Sequence, residues 1–493
     1  MIEILSLSNL ISLSIGFLTI IFIIYKHIKN RAKQNRKVFF EKLNISNHNL
    51  RPIILGFFHP YCNAGGGGER VLWTAIRSIQ KKYQNVICVV YTGDTDATKD
   101  VILEKVMLRF RIKLDPESLF FVFLNKRNWV EDDRYPRFTL LGQSLGSTVL
   151  GFEALKKLTP DFYFDTMGYA FTYPLAKRIF GCKVGAYVHY PTISSDMLSK
   201  VQEMRPGFNN DQIITKSRIL STGKIMCGFK KQFSKSNIFE FVKTYLCIIN
   251  RYYRMFAYLY SLAGSFADVV MVNSTWTKGH IDHLWGVNSK IVYPPCDTTS
   301  LTKLPLEGRQ RIITSVAQFR PEKDHQLQLQ SLSCLLSNYP NFRQGSEKVE
   351  LILIGGSRNK SDEDRIQKLK EQCKQLNIED NVIFEINASF EKLADWLSKS
   401  KIGLHTMWNE HFGIGVVEYM AAGLIPVAHN SGGPKMDIVI PYNDNVTGYL
   451  ASTPEEFAIK LANVFSLSEE EYNNMQTNAR ESVTGKFSEE YLL

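Results

Sequence analysis

Short runs of β-branched and aromatic residues alternate along this chain with longer stretches in which apolar positions recur at helical spacing. Pro52 to Phe58, Val86 to Tyr91, Phe162 to Asp165, Lys183 to His189 and Asp268 to Asn273 are of the first kind, and Glu69 to Lys82 is of the second. That rhythm predicts βαβ units. It pauses at Tyr293-Pro-Pro and restarts at Arg311 to Val316. It then runs through Val349 to Gly356, Val382 to Glu385, Lys401 to His405 and Leu424 to Ala428. The reading is an α/β protein of two Rossmann-like, doubly wound domains facing a cleft, with the boundary near residues 295 to 310. The segments it defines are 1–37, a first domain over 48–300, a second over 308–470, and a helical tail over 471–493. A length of 493 residues with 44% hydrophobic content suits two cores rather than one.

The amino-terminal segment departs from the rhythm. Ile4 to Tyr25 contains no charged residue, and as a transmembrane helix it would reach roughly 33 Å, enough for a hydrocarbon core of about 30 Å. Glu3 precedes it and Lys26 follows, an order that suits a membrane span better than a cleaved signal, which carries its basic residues first. The cluster Lys26, Lys29, Arg31, Lys33, Arg36 and Lys37 is expected to stay on the cytosolic side, so both domains would lie in the cytosol behind a single-pass anchor. Eight scattered cysteines without a C-x-x-C pair fit that reducing side and suggest neither disulfides nor a zinc site. Sequons at Asn44 and Asn445 would go unused there. The balance of 59 Lys+Arg against 48 Asp+Glu, a net +11, points to an anionic partner, whether phosphate, an acidic membrane surface or nucleic acid.

Three stretches carry candidate chemistry. "HPYCNAGGGGERVLW" places Gly65, Gly66, Gly67 and Gly68 between a predicted strand and a helix starting near Glu69. Glycine is costly to order, so such a run is expected where the backbone bends sharply or approaches a ligand. The helix start that follows suits a diphosphate; a flexible turn is the plainer alternative. The run is neither G-x-G-x-x-G nor a Walker loop, which weakens dinucleotide and NTPase readings. "WNEHFGIGVVEYMAAG" sets Glu410 and Glu418 about 12 Å apart if both lie on one helix. Gly413 and Gly415 instead put Glu410 in a loop and Glu418 in the first helical turn, with Gly423 as the stop. The two carboxylates then suit hydroxyls of a sugar and a ribose, or are simply solvated glutamates. "SVAQFRPEKDH" places Arg320 and Lys323 directly after a strand, where cations neutralise a diphosphate and stabilise charge on a departing nucleotide.

Other features count for less. Asp94-Thr-Asp96 reads as a polar turn rather than a metal site. The aromatic and basic stretches Phe229 to Lys235, Phe239 to Lys243 and Arg251 to Tyr260 suit the headgroup boundary of a membrane, or helices packed on the first sheet. No nucleic-acid module accompanies them, so nucleic acid is not expected as a partner.

With Glu-x7-Glu at 410 and 418, the Arg320-Pro-Glu-Lys323 stretch and an amino-terminal glycine loop, the chain resembles the retaining GT-B glycosyltransferases of the glycogen-synthase and sucrose-synthase-like group. "AYVHYPTISSDML" and "NEHFGIGVVEYMAAGLIPVAHNSGGP" bring it nearest the dolichol-pathway mannosyltransferases of that family, over about residues 50 to 470. The resemblance implies a GT-B fold and transfer of mannose from GDP-mannose with retained configuration, using no metal or other cofactor. The implied acceptor is dolichol-diphosphate-linked Man3GlcNAc2, which gains its fourth and fifth mannoses in α-1,2 linkage on the cytosolic face of the endoplasmic reticulum membrane. Other dolichol-pathway mannosyltransferases are implied partners.

Residue by residue, the resemblance assigns Glu418 to the nucleotide ribose, Glu410 to the donor sugar, Lys323 to the diphosphate and His189 to the neighbourhood of the reaction centre. The family's arginine lies five residues before the lysine, where this chain has Gln318; Arg320 stands in from two residues on. Gly413 and Ser431-Gly432-Gly433 are implied to lie over the donor, and the glycine-loop amides on its diphosphate. The usual proposal for such enzymes is a front-face attack assisted by the leaving phosphate, which needs positioning and charge stabilisation but no dedicated base. The same fold also occurs in non-catalytic subunits that scaffold a partner enzyme, and in other nucleotide-sugar enzymes such as epimerases.

Overall fold

The computed structural model describes residues 7–43, 52–193 and 251–488. The chain divides into two compact units. One holds the residues up to Ser194 with Arg251–Met271 and Ile281–Lys290; the other holds Val272–His280 and everything from Ile291 onward.

The amino-terminal unit is built on a seven-stranded sheet of β1 (Ile53–Phe58), β2 (Val86–Thr92), β3 (Leu119–Phe123), β4 (Phe162–Asp165), β5 (Lys183–Val188), β6 (Val269–Val272) and β7 (Lys290–Ile291), in the order β3-β2-β1-β4-β5-β6-β7. β1 runs parallel to both β2 and β4, β2 to β3, and β4 to β5. Helix Gly67–Lys82 buries Leu72, Trp73 and Ile76 against Phe57, Cys88 and Val90, because its apolar positions recur on one face. Strand order reverses between β1 and β4, so the loop after β1, which holds the glycine run, stands at a switch point where ligand crevices form in such sheets.

The carboxyl-terminal unit repeats the plan with β8 (Gln310–Val316), β9 (Glu350–Gly355), β10 (Val382–Ile386), β11 (Ser400–His405), β12 (Ile425–His429) and β13 (Tyr449–Ala451), in the order β10-β9-β8-β11-β12-β13 with parallel pairings throughout. Its core joins Ile313, Leu351, Ile402 and Val427 of the sheet to Leu329, Leu332, Phe457 and Leu461 of the flanking helices. The switch point here lies between β8 and β11. Helix Glu469–Thr484, which starts two residues ahead of the expected tail, belongs to this unit and buries Tyr472, Ala479 and Val483.

Ahead of the first sheet, Leu7–Lys42 is one continuous helix. Its side chains are described from Ser14, and from there the apolar run reaches only Tyr25 before Lys26. Among the described residues no helix is long and apolar enough to cross a membrane. Ile15, Phe17, Leu18, Ile20, Phe22, Ile23 and Ile24 are all more than half exposed. The basic flank, by contrast, docks on the amino-terminal unit: Arg36 pairs with Asp161 at 2.6 Å, Asn35 donates to the Lys156 carbonyl, and Phe40 is buried. Of the aromatic and basic stretches, Phe229 to Lys235 and Phe239 to Lys243 lie outside the described residues. Residues 251–264 form a helix that buries Tyr253, Phe256 and Tyr260 while exposing Met255, Tyr258 and Leu262.

Candidate active site

In the carboxyl-terminal unit, parallel strands place the loops after β8, β11 and β12 along one edge of the sheet, and these loops carry most of the expected site residues. Lys323 Nζ lies 2.7 Å from Glu410 Oε2 and 3.1 Å from Met407 Sδ. His405 Nε2, at the end of β11, approaches the same carboxylate oxygen at 3.2 Å, off the line of a full hydrogen bond. Burial acts to raise the Glu410 carboxyl, but His405 and the Lys323 ammonium outweigh it and hold the group well below the usual carboxylate range. Glu410 is therefore an anion at any physiological pH. Thr406 anchors the arrangement by donating to the carbonyls of Lys323 and Asp324 at 3.0 Å each, while Gln328 donates to Thr406.

The loop after β12 supports Glu410 from behind. Ser431 Oγ accepts from the Asn409 amide at 2.7 Å and meets His429 Nδ1 at 2.9 Å, and the Gly433 amide donates to the Glu410 carbonyl at 2.7 Å. Gly432 has φ +61°, and a Cβ there would stand 2.2 Å from the Glu410 carbonyl oxygen. Ser431-Gly432-Gly433 thus lies against the backbone of the Glu410 loop, which only glycine lets it approach so closely.

Glu410 is in a loop, as expected, and helix Ile414–Ala422 ends at Gly423 in the left-handed conformation. Glu418 is the fifth residue of that helix, half-buried and one position beyond the first turn where it was expected, because Gly413 rather than the later Gly415 is the cap. Arg320 parts company with Lys323. It caps the short turn Pro321–Lys323 in extended conformation, its guanidinium 3.7 Å from Glu322, and it lines a groove with Arg365 and Lys368 instead of reaching Glu410.

In the amino-terminal unit the glycine run is a turn that leads straight into a helix. Helix Gly67–Lys82 starts two residues earlier than expected, so Gly67 and Gly68 are its first residues and Gly66 its cap. The cause is Glu69, whose carboxylate accepts from the Gly66 amide and is approached by buried His59 at 3.4 Å. Gly65 has φ +81°, and its carbonyl accepts from Arg109 Nε at 2.5 Å. His189 comes to this turn from the end of β5: a Cβ on Gly68 would lie 3.7 Å from its Nε2. Asp94 braces the same loop, accepting from the Asn63 amide at 3.0 Å and pairing with Arg127 at 2.5 Å.

Asp165, at the end of β4, is fully buried. Burial raises its carboxyl to about 6, although Tyr173 and the amides of Met167 and Gly168 donate to it and pull it back in part. A folded value above the unfolded one means that the stabilisation is present below about pH 4 and is lost as pH rises through about 6, a contribution of roughly 3 kcal/mol at most. Denaturant midpoints taken between pH 4 and 7 should therefore show wild type losing stability relative to Asp165→Asn. An unchanging gap across that window would refute the assignment.

Sequence reasoning passed over His405, Thr406, Gln328 and Glu69. His405 reads as the last residue of an apolar strand, and its place just ahead of the Glu410 loop was the one available signal.

Residues 52–285 match the family model described as ALG11 mannosyltransferase N-terminus, and residues 298–482 match Glycosyl transferases group 1. The chain is 48% identical over 456 residues to the GDP-Man:Man(3)GlcNAc(2)-PP-Dol alpha-1,2-mannosyltransferase of Mus musculus, covering 91% of this chain and 87% of that protein. The protein of the same name from Dictyostelium discoideum is 48% identical over 452 residues, 90% of this chain and 83% of its own. Among solved structures, sucrose-phosphate synthase from Thermosynechococcus elongatus aligns over 89% of this chain and 96% of its own with a TM-score of 0.57 and 16% identity, a likeness of fold alone.

Proposed function

The chain belongs to the ALG11 mannosyltransferase family of group 1 glycosyltransferases, and from that membership we propose how its residues divide the work of the reaction. The reaction is transfer of mannose from GDP-mannose to dolichol-diphosphate-linked Man3GlcNAc2 in α-1,2 linkage, adding the fourth and fifth mannoses with retained configuration. The observation that carries the site assignment is the Lys323–Glu410 pair at 2.7 Å beside the switch point of the second sheet. As the bond between mannose C1 and the phosphate oxygen breaks, negative charge grows on the departing diphosphate, and the Lys323 ammonium is placed to stabilise it. Glu410, held ionised, accepts from hydroxyls of the mannose, and Glu418 accepts from the ribose. The acceptor hydroxyl attacks from the same face and passes its proton to the leaving phosphate, so no side-chain base and no metal is given a step.

For the amino-terminal unit we propose a part in the same reaction for the glycine turn and His189. Arg320, which lines a groove with Arg365 and Lys368, is assigned no contact with the diphosphate. The test is incubation of purified protein with GDP-mannose and lipid-linked Man3GlcNAc2, with and without EDTA. Extension of the glycan to Man5 in both arms supports the reading; no extension, or extension only without EDTA, sinks it.

The amino-terminal helix is proposed to anchor the enzyme in the endoplasmic reticulum membrane with both units in the cytosol. Its apolar residues from Ile15 to Ile24 project without protein partners among the described residues, while its basic half is docked on the first unit. Full-length protein should resist alkaline carbonate extraction, and protein lacking residues 1–25 should be released. Retention of the shortened chain in the pellet would overturn the anchor.

A further inference from the structure

The loop after β8 serves two sides of the carboxyl-terminal unit. Lys323 turns to Glu410, whereas Arg320 turns to a groove of about 510 Å3 between the start of helix His325–Asn338 and helix Lys360–Gln375. Arg365 and Lys368, neighbours at i and i+3 on the second helix, line the same groove. Among the described residues neither has an ion-pair partner, and Arg320 has only the loose, half-exposed Glu322. The Nε atoms of Arg320 and Arg365 are buried and have no hydrogen-bond partner. Nor has Nδ1 of His325, a lining residue that is 4% exposed and stacks on Phe319 with ring centres 5.0 Å apart.

The groove's two acids do not answer these cations. Asp324 accepts from the Leu327 amide at 3.1 Å and so caps its own helix, and Glu371 accepts from Gln367 at 3.3 Å. Burial, reinforced by Lys323 and Arg365, depresses His325 to about 4, so the ring is neutral and offers a donor or an acceptor according to its tautomer. Buried polar atoms without partners are uncommon and destabilising, and three of them here belong to residues that line one groove, a place that a ligand would complete. Guanidinium groups match the oxygens of a phosphate two at a time, and a lysine adds a point charge.

We propose that this groove is a binding site for a phosphate-bearing anion, separate from the Lys323–Glu410 pair and reached from the other side of the loop they share. The phosphate belongs either to a soluble compound or to a phospholipid headgroup; the recognition chemistry is the same.

The full chain in detergent, carrying Lys323→Ala so that the donor site contributes nothing, would be titrated calorimetrically with inorganic pyrophosphate. A second titration would use short-chain phosphatidic acid, with short-chain phosphatidylcholine as the neutral control. Saturable binding that weakens roughly tenfold or more on adding Arg365→Gln and Lys368→Gln, and returns with Arg365→Lys and Lys368→Arg, is the expected result. Response to pyrophosphate alone assigns the phosphate to a soluble compound, and a stronger response to phosphatidic acid assigns it to a lipid. Arg365 is half-buried and Lys368 exposed, and unchanged circular dichroism would exclude loss of fold as the cause. Equal affinity with and without them, or no saturable binding of either probe, overturns the site.

Discussion

Glu410→Ala is expected to lower kcat for mannose transfer by roughly 10²- to 10³-fold, the range seen when one preorganised polar contact to a reacting group is removed. The carboxylate is the common partner of Lys323 at 2.7 Å and His405 at 3.2 Å, so its loss leaves two basic groups facing each other and lets the Lys323 side chain wander. Part of any effect will be structural. Breaking a fully buried ion pair costs about 3–5 kcal/mol, but Lys323 is 24% and Glu410 15% exposed, and solvent screening brings the expected loss to about 1–2 kcal/mol. Urea midpoints separate the two effects, since assays well below the midpoint report catalysis alone. Glu410→Gln keeps the shape and should still lose most activity, because a neutral amide neither orients the ammonium nor accepts from hydroxyls as strongly. Transfer by Glu410→Ala within about threefold of wild type, under conditions where it is folded, would remove Glu410 from the site.

Gly432→Ala should be among the most damaging single methyls in the carboxyl-terminal unit. Two penalties combine there. The left-handed φ of +61° strains any other residue, and the added carbon would stand 2.2 Å from the Glu410 carbonyl oxygen and 3.1 Å from the Asn409 carbonyl carbon. Left-handed strain of about 1–2 kcal/mol and overpacking of about 1–3 kcal/mol together predict a loss of roughly 2–5 kcal/mol. Gly308→Ala is the internal control: its φ is +73° with nothing within 4 Å of the added carbon, so it should lose only the strain. Because the Gly433 amide holds the Glu410 carbonyl, whatever relieves the clash also shifts the carboxylate away from Lys323. A displacement near 1 Å predicts a fall in kcat/KM of roughly 10²-fold. Equal destabilisation by the two alanines, with activity intact in both, would mean that the close approach at Gly432 does not hold the Glu410 loop in place.

Much of the architecture was legible from local pattern. Pro52 to Phe58, Val86 to Tyr91 and Arg311 to Val316 became β1, β2 and β8 almost residue for residue, because β-branched runs bounded by turns have few alternatives. Lys323 was legible as a candidate because it follows a predicted strand in a parallel sheet, where loops leave toward ligands, and the loop position of Glu410 was legible from Gly413 and Gly415. Arg320 shows where that reasoning stops. Its position relative to the strand equals that of Lys323 within three residues, yet it lines a groove with Arg365 and Lys368 while Lys323 pairs with Glu410. Glu69 shows a second limit. It reads as an ordinary helix residue, but by closing on the Gly66 amide it moves the helix start back into the glycine run.

By itself the chain's pattern determined two α/β units, the strands of each, the residues that follow those strands, and the points where glycine must bend the backbone, since all of these depend on a residue and its near neighbours. Only the tertiary structure decided that β11 lies beside β8, which brings Glu410 to Lys323 across 87 residues of chain, and that Asp165 is sealed from water while Arg320 faces a groove of its own. The physical reason is that strand order and side-chain direction are settled by burial and pairing between distant segments, and periodicity along the chain carries no information about which distant segment will be the neighbour.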